Sequence, residues 1–126
     1  MDNGKAPTNA AAWFEIGVRN LDKSAKFYGA VLDAALRRET MGPQETAVFP
    51  YQGGMSGSLY ETSEAGEMGA SAPVVHLNAP APLEAALERV KKSGGKVVSD
   101  IYTIPPGRFA YCKDPDGTRF GLFTPG

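Results

Sequence analysis

Residues 13–28 read WFEIGVRNLDKSAKFY, and this stretch decides the fold. Its first residues alternate in polarity, so Phe14, Ile16 and Val18 share one face of a predicted strand. Asn20 offers a side-chain cap for a helix that starts directly afterwards. The apolar residues of that helix recur at helical spacing, as Leu21, Ala25, Tyr28 and Leu32. A strand that enters an amphipathic helix in this way predicts an α+β unit.

The order of elements repeats along the chain. The pattern predicts strands over 36–40, 45–49 and 56–61, then a strand at 74–79, a helix from Leu83, and strands over 96–103, 107–113 and 118–123. Asp114-Pro115-Asp116-Gly117 has the residues of a type I turn between the last two strands. The repeat predicts two βαβββ modules. We divide the chain into a flexible N-terminal arm (1–11), a first βαβββ module (12–61), a linker (62–72) and a second βαβββ module (73–126), the two modules forming one domain.

The alternation also decides which side chains point away from the helices. Those faces carry Trp13 and Glu15 in the first module and Val74, His76 and Asn78 in the second. An exposed tryptophan on such a face would be unfavourable unless the face meets something. Two such faces opposite one another would enclose a cleft. The residues expected beneath the helices are Phe14, Ile16 and Val18 in the first module and Val75, Leu77 and Ala79 in the second.

Composition narrows the range of functions. The 126 residues are 42% apolar and 21% charged, which is ordinary for one globular domain. A single cysteine, Cys112, excludes an intramolecular disulfide and fits a reducing compartment. The net charge of −1 without a basic cluster argues against nucleic-acid binding. No apolar stretch predicts a membrane span or a signal peptide, so we expect a cytoplasmic protein.

Two motifs carry a resemblance to a known family. They are LDKSAKFY at residues 21–28 and RFAYCKDPDGTRFGL at residues 108–122, and together they resemble the vicinal oxygen chelate superfamily. That superfamily includes glyoxalase I, bleomycin-resistance and fosfomycin-resistance proteins, and extradiol dioxygenases. The resemblance implies an α+β fold in which two βαβββ modules form an open, eight-stranded, barrel-like cleft, the glyoxalase/bleomycin-resistance fold. It also implies a homodimer.

The resemblance further implies where the metal-dependent members hold their metal ion. Each module supplies one ligand from its first strand and one from its last, usually His and Glu. These positions correspond to Trp13, Ser58, Val74 and Gly121 in this sequence. Indole, isopropyl and hydrogen side chains donate nothing to a cation, and a serine hydroxyl is a weak ligand. We therefore expect no metal site and no cofactor.

Two polar residues remain on the faces away from the helices. Glu15 and His76 each lie two residues after a first-strand ligand position, at equivalent places in the two modules. They are candidates for an acid–base pair or for binding a polar ligand, and the alternative is an ion pair that satisfies both groups. Trp13 either stacks a planar ligand or fills space. For Tyr111, and for its neighbours Arg108 and Arg119, a solvated strand position is the plainer interpretation.

Three functions follow from these observations. The first is a small-molecule-binding, glyoxalase/bleomycin-resistance-like protein that works without a catalytic metal on an unidentified ligand. The second is a glyoxalase-type lyase or isomerase with Glu15 and His76 as acid and base. The third is a dimerising interaction module without a small-molecule ligand. The predicted ligand-binding residues are Trp13, Glu15, Ser58, Val74, His76, Asn78, Tyr111 and Gly121.

Overall fold

The chain folds into two compact units. The computed structural model describes residues 6–66 and 72–125. The first unit is Trp13–Val74, and the second is Val75–Gly126 together with the chain before Trp13. Each unit combines one helix with β-strands, which confirms the predicted α+β class. Of the predicted linker, Thr62–Gly66 lies among the described residues and contains turns, whereas residues 67–71 lie outside them.

The elements follow the predicted order. In sequence they are β1 (Ala11–Val18), α1 (Leu21–Leu32), β2 (Arg37–Met41), β3 (Gln44–Val48), β4 (Ser56–Glu61), β5 (Val74–Asn78), α2 (Leu83–Lys92), β6 (Lys96–Val97), β7 (Tyr102–Ile104), β8 (Gly107–Lys113) and β9 (Arg119–Pro125). The strand predicted over 96–103 is interrupted between β6 and β7. The hydroxyl of Ser99 accepts the backbone N–H of Tyr111 at 2.8 Å, so a side chain replaces the carbonyl that a continuous strand would offer.

In the first unit the strands lie in the order β2-β3-β4-β1, with β1 parallel to β4 and the other pairs antiparallel. Helix α1 begins where predicted, because the Asn20 side chain accepts the backbone N–H of Lys23 at 2.9 Å. The Glu61 carboxylate accepts the N–H of Leu21 at 3.0 Å and ties the helix start to β4. Beneath the helix lies a buried cluster of Val18, Leu21, Ala47 and Leu59.

In the second unit β5 pairs in parallel with β9, and β8 pairs with β9, β6 and β7 in antiparallel fashion. The predicted turn closes between β8 and β9, since the N–H of Gly117 donates to the carbonyl of Asp114 at 2.9 Å. Helix α2 covers a buried cluster of Leu83, Ala86, Leu87, Ala110, Cys112 and Leu122. Among the described residues, neither helix is long and apolar enough to cross a membrane.

One packing prediction is wrong. Val75 and Leu77, expected beneath α2, are 43% and 37% exposed, whereas Val74 and His76 on the other face of β5 are 0% and 4% exposed. The reason is the lateral position of the helix. The strand residues in the cluster beneath α2 lie on β8 and β9, and Ala79, just after β5, packs against that cluster.

An ion pair fastens the start of α2 to the sheet. Both guanidinium nitrogens of Arg108 on β8 donate to the two carboxylate oxygens of Glu84, each at 2.8 Å. These hydrogen bonds, with a further one from the backbone, lower the pKa of Glu84 from 4.5 to about 2. Arg108 therefore acts on the helix side of its sheet.

This pair predicts a pH dependence of stability. Because the pKa of Glu84 is lowered in the folded state, the pair stabilises the fold above pH 4.5, and this contribution is lost as the pH falls through 4.5 toward 2. Thermal unfolding of the natural protein and of Glu84→Gln should show a gap in melting temperature at neutral pH that closes toward pH 2. In the Arg108→Gln background the same substitution should open a smaller pH-dependent gap, because only the backbone hydrogen bond to Glu84 remains. A gap that stays constant across this range would contradict the assignment.

Candidate functional site

In each unit the candidate residues lie on the strand face that points away from the helix of that unit. In the first unit this face carries Trp13 and Glu15 on β1, and the parallel register sets them opposite Ser56 and Ser58 on β4. Phe14, which alternates with them, contacts Phe49 on the helix side at a ring distance of 5.3 Å. The predicted orientation of β1 follows from this alternation.

The indole of Trp13 has one hydrogen-bond partner and one aromatic neighbour among the described contacts. The indole N–H donates to the hydroxyl of Ser58 at 3.1 Å, and Ser58 is buried. Tyr51, from the loop between β3 and β4, meets the indole edge-on with 6.5 Å between ring centroids. Two of the residues at predicted metal-ligand positions therefore bind each other.

In the second unit one row of residues crosses three strands. His76 on β5 lies beside Gly121 on β9, and Gly121 lies beside Tyr111 on β8. The structure thus brings three of the predicted site residues together. Val74, the last residue of the first unit, precedes His76 by two residues on the same face of β5 and is fully buried.

The imidazole of His76 fills the space above Gly121. An ideal Cβ at residue 121 would lie 2.7 Å from Cγ of His76 and closer still to Nδ1, distances that real Cβ atoms do not show. The imidazole also contacts Phe109 edge-on and Tyr111 at a tilt, each with 5.3 Å between ring centroids. Only glycine fits at residue 121 while His76 keeps this conformation.

An aromatic cluster surrounds this row. We define it as His76, Tyr102, Phe109 and Tyr111, whose neighbouring rings lie 5.3–6.3 Å apart. The guanidinium of Arg119 lies 4.5 Å from the ring centroid of Tyr111. Sequence reasoning missed Tyr102 and Phe109. The alternation of β8 could have identified Phe109, two residues before Tyr111, but the position of Tyr102 depends on the strand break at Ser99.

The side-chain amide and the backbone N–H of Asn78 donate hydrogen bonds to carbonyl oxygens of residues 9–11. Its side-chain amide donates to the carbonyls of Asn9 at 2.8 Å and Ala11 at 3.4 Å, and its backbone N–H donates to Ala10 at 2.8 Å. Residues 9–11 of the predicted flexible arm are therefore fastened to β5, and strand β1 already begins at Ala11. Contact between Asn78 and a ligand stays a prediction.

The residues at the four metal-ligand positions do not fit a metal ion. Trp13 and Ser58 are hydrogen-bonded to one another, Val74 is a buried hydrocarbon, and the space beside Gly121 holds an imidazole. Within residues 6–66 and 72–125, no three His, Cys, Asp or Glu side chains come together. The joint action of Glu15 and His76, which lie in different units, stays a prediction.

The packing of His76 on Gly121 predicts a coupled pair of substitutions. Gly121→Ala should destabilise the protein by about 1–3 kcal/mol, because the new methyl group overlaps the imidazole. In the His76→Ala background the same change should cost at least about 1 kcal/mol less. Denaturant unfolding of the four proteins of this cycle measures the coupling. Strictly additive effects would show that the imidazole does not occupy this space.

Solved structures of other proteins have the same fold as this chain. The chain is similar to methylmalonyl-CoA epimerase from Mycobacterium tuberculosis, at 17% identity and a TM-score of 0.68 over 98% of this chain and 95% of that one. It is similar to a hypothetical protein from Bacillus halodurans, at 15% identity and a TM-score of 0.71 over 95% and 96% of the two chains. It is also similar to a glyoxalase/bleomycin resistance protein/dioxygenase superfamily member from Vibrio splendidus, at 15% identity and a TM-score of 0.63 over 92% of this chain and 99% of that one.

At these low sequence identities, the TM-scores establish a shared fold. A search of curated protein sequences finds no match. The family model of the Glyoxalase/Bleomycin resistance protein/Dioxygenase superfamily matches residues 10–122, which span both units. The resemblance carried by the two motifs is confirmed, and the chain belongs to the Glyoxalase/Bleomycin resistance protein/Dioxygenase superfamily.

Proposed function

We propose that this protein binds a small organic molecule on the helix-free face of its second unit, and that aromatic contacts and hydrogen bonds hold it without a divalent metal ion. The observation that carries the proposal is the filling of the metal-ligand position at Gly121 by His76. A carboxylate cannot stand there while the imidazole does. The same arrangement sets the rings of Phe109 and Tyr111 beside that imidazole, which supports binding through aromatic contacts.

The aromatic cluster supports binding rather than mere packing. Tyr102 is 42% exposed, and Phe109 and Tyr111 are only partly buried, although all three rings touch one another. Adjacent half-exposed rings on one sheet face are typical of surfaces that bind a ligand or a partner. The rings supply large contact areas with little side-chain entropy to lose.

The polar groups of Trp13 and Ser58, at two of the metal-ligand positions, are unsuited to holding a cation. An indole N–H is only a donor, and the hydroxyl of Ser58 already accepts it. The fold likeness to a methylmalonyl-CoA epimerase supports a small-molecule site in this chain and carries no substrate with it.

A thermal-shift screen tests this function. Planar aromatics, thiol conjugates and antibiotics are the probe classes, and a true ligand at about 100 times its dissociation constant should stabilise the fold by about 2.7 kcal/mol. Tyr111→Leu keeps apolar bulk but removes the ring and should reduce the shift. Phe27→Leu, a ring that is 61% exposed on helix α1, is the matched control and should leave it unchanged. Absence of a shift with every class would contradict the proposal and favour an interaction module.

The same assay tests the metal-independent part of the proposal. Adding Zn²⁺, Ni²⁺ or Mn²⁺ at one equivalent should leave the melting temperature unchanged, since the four family positions offer no adequate ligand set. Elemental analysis of protein purified without chelators or metal-affinity resin should find no stoichiometric divalent ion. One bound ion per chain, lost on substitution of Ser58 or His76, would refute this part.

A further inference from the structure

We infer that the exposed side of helix α1 is an interaction surface for a second copy of this chain, with the two helices antiparallel about a two-fold axis near Ala30. This inference concerns the first unit and does not depend on the proposed ligand site. Three observations carry it: an exposed apolar row, an aromatic ring that is fixed within this row, and two opposite charges placed symmetrically about the same point.

Helix α1 exposes an apolar row on the side that the sheet leaves uncovered. Phe27 is 61% exposed and Val31, one turn later, is 64% exposed, the two highest values among the large apolar side chains that the structure describes. Ala30, between them in sequence, is exposed as well. Neighbouring apolar side chains left open to solvent in this way are typical of contact surfaces.

The ring of Phe27 is fixed in position by a series of ring contacts. It meets Tyr28 edge-on, at 82° and 5.2 Å between centroids, and Tyr28 meets Phe49 at 77° and 5.4 Å. Tyr28 and Phe49 both pack against the buried cluster beneath α1. A partner that binds Phe27 therefore loses little entropy in ordering it, which favours association.

Two opposite charges flank the apolar row. Lys26 and Asp33 line the same open groove of about 490 Å³ beside α1, so they lie on one side of the helix. Within the part of the chain that the structure describes, neither side chain has an ion-pair partner. Each is therefore available to an opposite charge on a second molecule.

The apolar row and the two charges share one midpoint. The midpoint of Phe27 and Val31 is residue 29, and that of Lys26 and Asp33 falls between residues 29 and 30. A two-fold axis at this point, perpendicular to two antiparallel helices, makes each side of one helix face the same side of the other. Phe27 then meets Val31 of the second copy. On the groove side, Lys26 meets Asp33 of the second copy, and each contact occurs twice.

The charges of α1 favour a second copy over an anionic partner. The helix and its C-cap carry Asp22, Lys23, Lys26 and Asp33, two residues of each sign. A balanced set gives no net attraction to an anionic membrane or to nucleic acid, which require an excess of cations. The same set is complementary to itself across a two-fold axis, so the occupant that it fits is another α1.

Sedimentation equilibrium of the full chain gives the first test. An interface centred on one helix is at the small end of the range, so we expect a dimer of twice 13.3 kDa at about 200 µM that dissociates toward about 1 µM. Lys26→Glu turns two attractive contacts per dimer into two repulsive ones and should raise the dissociation constant about tenfold. Lys92→Glu, the same charge change at the end of α2, is the matched control and should leave it unchanged.

Cross-linking then tests which surface is used. Ala30 lies beside the proposed axis, so the two thiols of an Ala30→Cys dimer should meet and form a disulfide on oxidation with diamide. The natural Cys112 is buried and should not react. Lys92→Cys, an exposed position at the end of α2, is the control and should not cross-link efficiently at the same protein concentration.

Three results would overturn the inference. The first is a natural protein that stays monomeric at about 200 µM, a concentration at which even weak specific interfaces associate. The second is a dimer that Lys26→Glu leaves unchanged and that Ala30→Cys does not cross-link, because it would use another face. The third is a monomer that co-sediments with phosphatidylserine vesicles through Lys26, which would make a membrane the occupant of this surface.

Discussion

The imidazole of His76 lying over Gly121 is the contact on which the site depends. Glycine in the middle of a strand leaves the sheet without a side chain to pack, which weakens it unless another group fills the gap. Here the ring of the adjacent parallel strand fills it and is itself positioned against Phe109 and Tyr111. One missing side chain on β9 thereby fixes the arrangement of rings on β5 and β8.

The first unit contains an equivalent contact between a glycine and a ring, on the sheet face that helix α1 covers. Phe14 on β1 is in register with Gly57 on the parallel strand β4, and an ideal Cβ at residue 57 would lie 2.5 Å from three carbons of the Phe14 ring. In both units, a glycine of the last strand makes room for a ring from the first strand. The Phe14 ring joins the helix side of its unit, where it contacts Phe49. The His76 ring lies on the helix-free face, so one structural solution serves the core in one unit and the candidate site in the other.

Alternation along the strands is the part of the site that the sequence determines directly. It predicted the faces of Trp13 and His76, because a residue's side of a sheet depends only on its own strand. The position of Tyr102 could not be predicted in this way, since the hydroxyl of Ser99 breaks the strand and resets its register. The exposure of Val75 was missed for a different reason. Periodicity shows which face a helix covers but does not say how far across the sheet the helix extends.

The absence of metal ligands and the presence of the aromatic cluster are two consequences of the same packing. A glutamate at residue 121 and the present imidazole of His76 need the same volume, so the two arrangements exclude each other. A site without a cation lacks one strong means of orienting a ligand oxygen. In this chain the imidazole instead packs against Phe109 and Tyr111, and the guanidinium of Arg119 lies 4.5 Å from the ring centroid of Tyr111. Under the proposed function, a ligand of this chain is therefore oriented by ring contacts and hydrogen bonds instead of by metal chelation.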